Sequence, residues 1–426
     1  MFSKRYVSAG IEIGTNSIKV LLAELRDDDV LAFIGGSEVP YPDASVDKVI
    51  YGEIENTQSV CDLLRRALNE AEAAANAEIT TYHIAITGSH IANKIHNEKR
   101  TTLNKKPPTE EDIESLEDTL QQYSMSESQY IIHNLRRRTF INYNHEVREL
   151  VGQICDNYRQ ENLIVYGSRQ VIEKTTKSLS SITGISPDSV TFSGLAPVYA
   201  ALSEEERENN NGILVIDIGE GVTEFSLIHN GNLLYTGQKP IGCRQVANDL
   251  SIAFNLPFSA GQRLLINHGD ALINYDNFET FVNAPGVNQN DELRINQQHI
   301  EKVVHYRLKE LFELIREELR GAGVLDRLGD KIYLSGGGAQ IKHINHLTRD
   351  VFKNIPVNTA CISDVAIDSE YENPRFITPA GVIMRALEEG ESMGARSLWQ
   401  QLRFDFRDLY RGIKETVKNA WDALKF

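Results

Sequence analysis

Two segments of the chain, about 200 residues apart, share one pattern of residue types. Residues 7–14 (VSAGIEIG) continue into 15–23 (TNSIKVLLA), and residues 213–221 (ILVIDIGEG) continue into 222–228 (VTEFSLI). Each segment combines a β-branched strand, a glycine-containing turn with an acidic residue two positions before its first glycine, and a second strand. A hairpin that recurs at this separation predicts two related halves rather than an array of short repeats.

Composition narrows the classes of function. The length of 426 residues gives a prior of about three domains. Lys and Arg number 44 against 60 Asp and Glu, a formal net charge of −16. A chain this acidic is not expected to bind nucleic acid, which needs a basic surface. It is not expected to lie on an anionic membrane with its whole surface either, although one basic segment still could.

The cysteines and the apolar runs predict a soluble protein, or one that at most lies on a membrane. Cys61, Cys155, Cys243 and Cys361 are far apart and none belongs to a CxxC pair, so we expect four reduced thiols in the cytoplasm. We expect no signal peptide at residues 1–14, and no apolar run approaches the roughly 20 residues that span a bilayer.

Alternating strands and helices predict α/β layers. A strand is predicted over 79–87 and amphipathic helices over 57–77 and 300–319, where apolar residues recur at i, i+3 and i+4. Residues 104–109 (NKKPPT) predict a loop before an acidic helix over 110–123, which Thr109 would cap. The polar stretch 204–212 (EEERENNNG) predicts a hinge between the halves.

The two hairpins are candidates for phosphate binding. Small and hydroxyl residues in a turn can present several backbone N–H groups to a phosphate, and an acidic residue beside them can hold Mg²⁺ through water. Two ordinary tight turns with solvated acids are the alternative. A run of three glycines, preceded by a strand and followed by a helix from about Ala339, could let a nucleoside ring approach the backbone, or could be a sharp turn. The candidate Mg²⁺ residues are Glu12 and Asp217, and the candidate phosphate residues of the first turn are Thr15, Asn16, Ser17 and Lys19.

Together these motifs resemble the actin-like ATPase superfamily, and in detail the bacterial cell-division FtsA family. The detailed resemblance also rests on 85–91 (AITGSHI), 192–196 (FSGLA), 202–207 (LSEEER) and 334–341 (LSGGGAQI), and it covers essentially the whole chain from Val7 onward. It implies an actin-like (ribonuclease H-like) α/β fold of two halves with an inserted small domain and a C-terminal amphipathic helix. The implied divisions are subdomain 1A at 1–87, 165–204 and 375–387, inserted subdomain 1C at 88–164, subdomain 2A at 205–249 and 324–374, subdomain 2B at 250–323, a linker at 388–397, and a membrane-targeting helix at 398–426.

The resemblance implies an ATP and Mg²⁺ site between the halves. Two residues depart from the family pattern: Glu220 adds a negative charge where the family usually has glycine, and Leu265 stands where the family offers a charged residue to the nucleoside. Gln262 can still bind a ribose hydroxyl. We expect at most a weak ATPase, with no catalytic base identified. The implied nucleotide residues are Gly14, Thr15, Asn16, Ser17, Lys19, Asp217, Gly219, Gly221, Thr223, Gln262, Gly336, Gly337 and Gly338.

The segment 398–426 has the composition of a helix that lies on a membrane surface. At 100° per residue its apolar residues share one face, bordered by basic residues, and it carries six basic against four acidic residues. The resemblance implies the same role, while a helix docked on the body or on a partner is the alternative. The apolar face comprises Leu398, Trp399, Leu402, Phe406, Leu409, Ile413, Val417, Trp421 and Leu424, and the basic border comprises Arg403, Arg407, Lys414 and Lys418.

The resemblance also implies partners. The family binds the C-terminal tail of the tubulin-like protein FtsZ on its fourth subdomain, where Arg307 matches a family position and Glu310 lies nearby; a solvated helix face is the alternative. It forms filaments and works with other divisome proteins at the septum, on the cytoplasmic face of the inner membrane at the division site. Arg136, Arg137 and Arg138 are expected to form a solvated strand edge rather than a specific site.

Three other functions fit the same fold. A pilus-assembly adaptor such as PilM would need no lipid-binding helix, and the basic amphipathic tail argues against it. A sugar kinase would need a substrate base in the cleft. A chaperone ATPase would need a peptide-binding domain after the ATPase, and only about 30 residues follow the actin-like body.

Overall fold

A computed structural model describes residues 6–26, 31–42, 49–102, 106–286, 292–363, 365, 367–368 and 370–390. The predicted membrane helix at 398–426 lies outside these residues, so it stays a prediction. Within the described residues, no helix combines the length and apolar character that crossing a bilayer would require.

Eighteen strands are present in the described residues. In chain order they are β1 (Val7–Ile13), β2 (Ser17–Leu25), β3 (Leu31–Pro40), β4 (Val49–Ile50), β5 (Glu53–Ile54), β6 (Thr81–Ile86), β7 (Ala92–Thr101), β8 (Gln129–Ile141), β9 (His145–Val147), β10 (Asn157–Ser168), β11 (Ser189–Phe192), β12 (Ile213–Ile218), β13 (Thr223–His229), β14 (Asn232–Lys239), β15 (Phe281–Pro285), β16 (Glu292–Asn296), β17 (Lys331–Ser335) and β18 (Val357–Thr359).

Ten α-helices accompany them in the same part of the chain. They are α1 (Thr57–Ala75), α2 (Glu110–Gln121), α3 (Arg169–Thr183), α4 (Ala196–Ala201), α5 (Glu204–Glu208), α6 (Cys243–Phe254), α7 (Phe258–His268), α8 (Gln297–Gly321), α9 (Ile344–Val351) and α10 (Ile377–Glu388).

Two five-stranded sheets have the same topology. Their strand orders are β11-β6-β1-β2-β3 and β14-β13-β12-β17-β18. In each sheet three consecutive strands form an antiparallel meander, and two later strands join in parallel beside the first. The expectation of two related halves is confirmed, because the repeated hairpin is the start of the same five-strand pattern in both halves.

A third sheet has the strand order β7-β10-β8-β9. In the sequence, its strands come between β6 and β11, the two parallel strands of the first half. It packs with α2, whose first turn is closed by the predicted cap: Thr109 and Asp112 exchange hydrogen bonds as a capping box. This sheet also contacts β14 of the second half, because the Arg137 guanidinium donates from Nε to the Leu234 carbonyl at 2.7 Å.

The expectation of a solvated edge for the arginine run is wrong at its centre. Strand β8 lies inside the sheet, between β10 and β9, and its alternation turns Arg137 inward while Arg136 stays exposed. Arg137 is only 1% exposed and its Nη1 lies 2.6 Å from Glu161 Oε2. A buried cation needs such a partner, since an unpaired one would be costly.

Most predicted elements are present with shifted ends. Helices α1, α2 and α8 lie where helices are predicted at 57–77, 110–123 and 300–319, and strand β6 lies where a strand is predicted at 79–87. One detail was wrong. After the three glycines the chain makes a short 3₁₀ turn, Gly337–Gln340, and α9 begins only at Ile344. The predicted hinge contains a short helix, α5, capped by Ser203. The subdomain boundaries stay predictions.

The hydrophobic core is divided into separate clusters for the two halves. One cluster of buried apolar residues joins β12, β13 and β17 with α6, α7, α8 and α9, and a second joins β1, β2 and β6 with α1 and α3. Helix α10, late in the chain, packs on β1 of the first half and on α4. All four cysteines are unbridged, and Cys61 and Cys155 are buried.

A candidate nucleotide cleft between two matched turns

The two hairpin turns close with the same hydrogen bond. The Gly14 N–H donates to the Ser17 carbonyl at 3.0 Å, and the Gly219 N–H donates to the Val222 carbonyl at 3.0 Å. The turns also meet each other, since a Cβ on Gly221 would lie 2.5 Å from Thr15 Oγ1. A side chain at position 221 would therefore press on the Thr15 side chain.

A cavity of about 520 Å³ lies against both turns. Besides the turns, its wall includes residues from α7, from the 3₁₀ turn after β17 and from the start of α10. A volume of this size is ordinary for a small-molecule site. Of the residues implied for nucleotide binding, those at the wall are Gly14, Thr15, Asn16, Ser17, Lys19, Asp217, Gly219, Gly221, Gln262, Gly336 and Gly337.

Two of the implied residues are not at the wall. Thr223 is fully buried, and its hydroxyl donates to the Ile241 carbonyl at 2.7 Å. Gly338 is buried against Ile218 and Cys243, so that a Cβ there would overlap the Ile218 side chain. Both residues support the wall from behind and do not face the space that it encloses.

The first turn brings a cation to the cavity. Lys19 is nearly buried, and its Nζ lies 3.0 Å from Glu12 Oε2. Burial alone would lower the pKa of Lys19, but Glu12 and Glu38 outweigh it and hold that pKa above its usual value. Glu38 in turn accepts from Ser17 Oγ at 2.8 Å and pairs with Arg375 at 2.9 Å. Lys19 therefore keeps a fixed positive charge at the wall.

The second turn brings a buried acid. Asp217 Oδ2 accepts a hydrogen bond of 2.7 Å from the Thr378 hydroxyl at the start of α10. Burial and the nearby Glu12 carboxylate raise the pKa of Asp217 to about 6, although the Thr378 bond works in the opposite direction. Gly336, with φ of +80°, passes so close that any Cβ would overlap Asp217 Oδ1. Glycine is therefore required at this position for two reasons, the close approach and the left-handed backbone.

Glu224 is a site residue that the sequence reasoning missed. It lines the cavity while being only 3% exposed, and its carboxyl group accepts from Thr87 Oγ1 at 2.9 Å and from the Ser193 hydroxyl. Burial raises the pKa of Glu224 to about 8. One signal was available: an acid within the apolar strand sequence VTEFSLI is unusual, since buried acids need partners. Thr378 and Arg375, from a distant part of the chain, had no comparable signal.

Glu220, the departure from the family pattern, turns its side chain toward α7. Gln262 Nε2 donates to Glu220 Oε1 at 3.2 Å, and both residues line the cavity. Burial raises the pKa of Glu220, whereas Gln262 and the nearby Arg244 favour the charged form. Leu265 and Ile266, one helical turn further along α7, give this end of the cavity an apolar wall.

Possible metal ligands are few. Within the described residues, no group of three His, Cys, Asp or Glu side chains is arranged to hold a metal ion. Glu12 and Asp217 lie at the same cavity, but Glu12 already pairs with Lys19. Direct coordination by several carboxylates does not fit these residues, whereas contact through water does, because Mg²⁺ keeps several of its water ligands.

The candidate partner residues lie on α8. Arg307 Nε lies 2.5 Å from Asp249 Oδ2, and Arg307 Nη1 lies 2.6 Å from Glu310 Oε2. Arg307 is thus shared between two acids, one on α6 and one in its own helix. Its neighbour Tyr306 is 61% exposed, which leaves an aromatic ring in solvent beside the ion pairs.

Residues 214–381 match the family model "Cell division protein FtsA". FtsA of Escherichia coli K12 is 26% identical over 392 residues, which cover 89% of this chain and 90% of that protein. FtsA of Neisseria meningitidis serogroup B is 25% identical and covers 98% of this chain and 99% of that protein. The predicted resemblance to FtsA is confirmed.

Solved structures show the fold of this FtsA-like chain. A PilM–PilN type IV pilus biogenesis complex matches with a TM-score of 0.62 and 15% identity, over 89% of this chain and 98% of that one. MreB5 of Spiroplasma citri bound to ADP matches with a TM-score of 0.50 and 13% identity, over 91% and 99%. The predicted actin-like fold is confirmed.

Proposed function

We propose that the chain is an ATP-binding, filament-forming actin-like adaptor that anchors FtsZ polymers to the cytoplasmic membrane during cell division. The observation that carries this proposal is the pair of matched turns that face one cavity, in a chain similar to FtsA over about nine-tenths of its length. The nucleotide, the membrane and the FtsZ tail are separate parts of the proposal, and each has its own test.

The nucleotide part is supported by the residues of the cavity. Lys19 carries a positive charge suited to phosphate, and the two turns supply small residues that let a phosphate approach the backbone. Asp217 is the better placed of the two acids to hold Mg²⁺ through water, because Glu12 is engaged by Lys19. The structural neighbour MreB5 is bound to ADP, which favours an adenine nucleotide here.

Slow hydrolysis is the expected chemistry. Glu224, the buried acid at the cavity, has a pKa of about 8, so at neutral pH most of its carboxyl groups hold a proton. A protonated carboxyl group cannot accept a proton from an attacking water. We therefore propose that nucleotide occupancy, rather than rapid turnover, is what the cleft contributes.

The nucleotide part is tested by thermal unfolding with excess ATP and Mg²⁺. A ligand that binds only the folded state raises the unfolding temperature by mass action. The proposal expects a rise for the wild-type chain and a smaller rise for Gly221→Val, whose new side chain would press on Thr15. A wild-type unfolding temperature that does not change with ATP and Mg²⁺ would contradict a nucleotide cleft.

The membrane part depends on residues 398–426 and is tested by co-sedimentation with vesicles of phosphatidylcholine and phosphatidylglycerol. Deleting this segment is expected to abolish binding. Ile413→Glu puts a charge on the apolar face, whereas Asn419→Glu puts the same charge on the polar side of the predicted helix. The first is expected to weaken binding much more than the second, and equal loss in both would count against an interfacial helix.

The FtsZ part is tested by binding of an FtsZ C-terminal tail peptide to residues of α8. Arg307→Glu would place an acid beside Asp249 and Glu310, so it is paired with Arg307→Met, which removes the cation without adding repulsion. Both variants are expected to weaken the peptide complex while Glu313→Gln, further along α8, does not. Wild-type affinity in Arg307→Met would rule out this surface.

The filament part is supported by the third sheet, which belongs to the predicted inserted domain. Three apolar side chains there are well exposed: Tyr143 (70%), Val151 (50%) and Ile154 (69%). We propose that they contact the next copy of the chain. Ile154→Asp is expected to reduce pelleting of polymers with ATP and lipid, whereas Ile185→Asp, an exposed isoleucine of the first half, is the control. Unchanged pelleting of Ile154→Asp would exclude this contact.

A second candidate function is an adaptor of pilus assembly, because the PilM–PilN complex is a structural neighbour over nearly the whole described body. Such an adaptor would bind a short peptide of an inner-membrane partner and would not need its own lipid helix. Vesicle binding that is unaffected by loss of residues 398–426, together with no affinity for the FtsZ tail, would favour this second candidate.

A further inference from the structure

Three exposed apolar side chains of the third sheet lie near one another: Tyr143, Val151 and Ile154, called the loop patch below. Tyr143 is in the turn between β8 and β9, and the other two are in the segment between β9 and β10. The turn and the segment are held side by side, because the Asp156 N–H donates to Asn142 Oδ1 at 2.8 Å. Neighbouring apolar side chains in solvent are typical of an interaction surface.

The loop patch has an acidic border on the side of α2. The Gly152 N–H donates to the Pro108 carbonyl at 3.4 Å, which places the patch beside the first turn of that helix. The first turn carries three exposed acids at residues 110–112 (EED), and Glu149 adds another exposed acid next to the patch. On the other side, Lys99 Nζ lies 4.9 Å from the centre of the tyrosine ring. A fitting partner therefore has an apolar face with cations along one border.

The C-terminal segment 398–426 has this composition, and the path of the chain brings it to the loop patch. Glu388, at the end of α10, pairs with Arg207 of α5. The next residue of α5, Glu208, pairs with Arg148 at 3.1 Å, three positions before the patch begins. Residues 391–397 connect α10 to the segment and can span at most about 28 Å. The segment itself, if helical, is about 44 Å long, so it can reach the patch of its own chain.

We infer that, away from a membrane, residues 398–426 dock as a helix on the loop patch of the same chain. The apolar face of the helix covers Tyr143, Val151 and Ile154, and its basic border faces the first turn of α2. The inference rests on the amphipathic helix proposed above for the membrane and adds a second surface that this helix binds.

The loop patch and the membrane compete for the same helix face. Both bury its apolar side chains and both offer negative charge to its basic border, so the helix occupies one of them at a time. The patch is also the proposed contact with the next copy of the chain, and the docked helix excludes that copy. Transfer of the helix to a membrane therefore uncovers the surface that a filament needs.

The experiment uses the fluorescence of tryptophan in the full chain without lipid or nucleotide. Both tryptophans, Trp399 and Trp421, lie in residues 398–426, so their quenching by acrylamide reports on this segment alone. Weak quenching is expected for the wild type. In Ile154→Asp a carboxylate would be buried under the helix, so the ratio of docked to undocked chains should fall by at least about tenfold. Quenching should then approach that of the chain unfolded in urea, whereas the control Ile185→Asp should behave like the wild type.

The reciprocal variants are in the segment itself. Ile413→Glu, on the apolar face, should release the helix and raise quenching, whereas Asn419→Glu, on the polar side, should not. Weak quenching that is unchanged on dilution supports docking within one chain, and protection that is lost on dilution would overturn it.

Two further outcomes would also overturn the docking: strong quenching in the wild type, or equal quenching in the wild type and Ile154→Asp. Neither outcome affects the membrane part of the proposed function, because vesicle co-sedimentation of the wild type measures that part separately. Conversely, a wild type that is weakly quenched but does not bind vesicles would keep the docked helix and remove its membrane role.

Discussion

The first half has a basic residue and the second half an acidic residue at the same position of the same hairpin. In the first half Glu12 lies opposite Lys19 across the strand pair, and in the second half Asp217 lies opposite Glu224. The first position thus pairs an acid with a cation, and the second pairs two acids. Lys19 stays charged beside Glu12, whereas burial raises the pKa of Glu224 to about 8.

The difference shows how a repeated frame can serve two chemical tasks. Both turns close with the same backbone hydrogen bond, so the geometry is shared. The side chains are not shared: one turn contributes a fixed positive charge, and the other contributes acids held by Thr378, Thr87 and Ser193. A phosphate ligand would therefore meet its countercharge on one half and its metal contact on the other.

The largest expected effect comes from breaking the charge pair of the first half. Lys19→Met leaves Glu12 without its cation, and breaking such a nearly buried pair costs about 3 kcal/mol of unfolding free energy. It should also weaken nucleotide binding by at least tenfold, which follows from the loss of a charged contact of about 1.5 kcal/mol or more. Urea unfolding and calorimetry measure both effects. Lys342→Met removes an exposed cation that also lines the cavity, and it should change the free energy of unfolding by less than about 0.5 kcal/mol.

The second-largest expected effect concerns Arg137. Strand β14 is an outer strand of the second sheet, as β3 is of the first, and Arg137 donates a hydrogen bond to it at the Leu234 carbonyl. Arg137→Met removes the bond to the Leu234 carbonyl and one partner of Glu161, which keeps Arg138. We expect a loss of about 2 kcal/mol in unfolding free energy. Arg136→Met, an exposed neighbour bonded to Asn232, should lose less than about 0.5 kcal/mol. Equal losses would show that burial of Arg137 does not link the third sheet to the second half.

Glu224, in the second half, should make the free energy of unfolding depend on pH. The folded chain binds the Glu224 proton more tightly than the unfolded chain, so its stabilising contribution is complete below about pH 4.5 and declines as pH rises toward 8. Wild-type unfolding free energy should fall by the order of 1 kcal/mol per pH unit between pH 6 and 8. In Glu224→Gln this part of the decline should disappear, while the exposed Glu173→Gln should behave like the wild type.

The smallest effect concerns the hydroxyl that supports Asp217. Thr378→Val keeps the shape of the side chain and removes one hydrogen bond, which should cost about 1 kcal/mol and raise the pKa of Asp217 further. Thr348→Val removes a hydroxyl that bonds only within its own helix, to the Ile344 carbonyl, and should cost less. Nuclear magnetic resonance titration of the Asp217 carboxyl group checks the direction, and a lowered pKa would contradict this role of Thr378.

The main strands and helices could be predicted from the sequence because each of them depends on a pattern within one short segment. The two hairpins, the glycine run and helices α1 and α8 follow from alternation, helical spacing and turn residues within short segments. Contacts between distant segments could not be predicted this way. Thr378 meets Asp217 across 161 positions, and Thr87 meets Glu224 across 137. Arg137 was misjudged because three consecutive arginines suggest solvent, whereas strand alternation turns the middle one inward.

The measurement that tests the central claim most directly is hydrogen–deuterium exchange of the amides in both turns, with and without ADP and Mg²⁺. If the two halves hold one nucleotide jointly, exchange should slow together in Thr15–Ser17 and in Glu220–Val222, with the largest change at saturating ligand. Lys19→Met should reduce the protection in both turns. Protection of one turn alone, or of neither at saturating ADP, would contradict a nucleotide cleft built from the two matched hairpins.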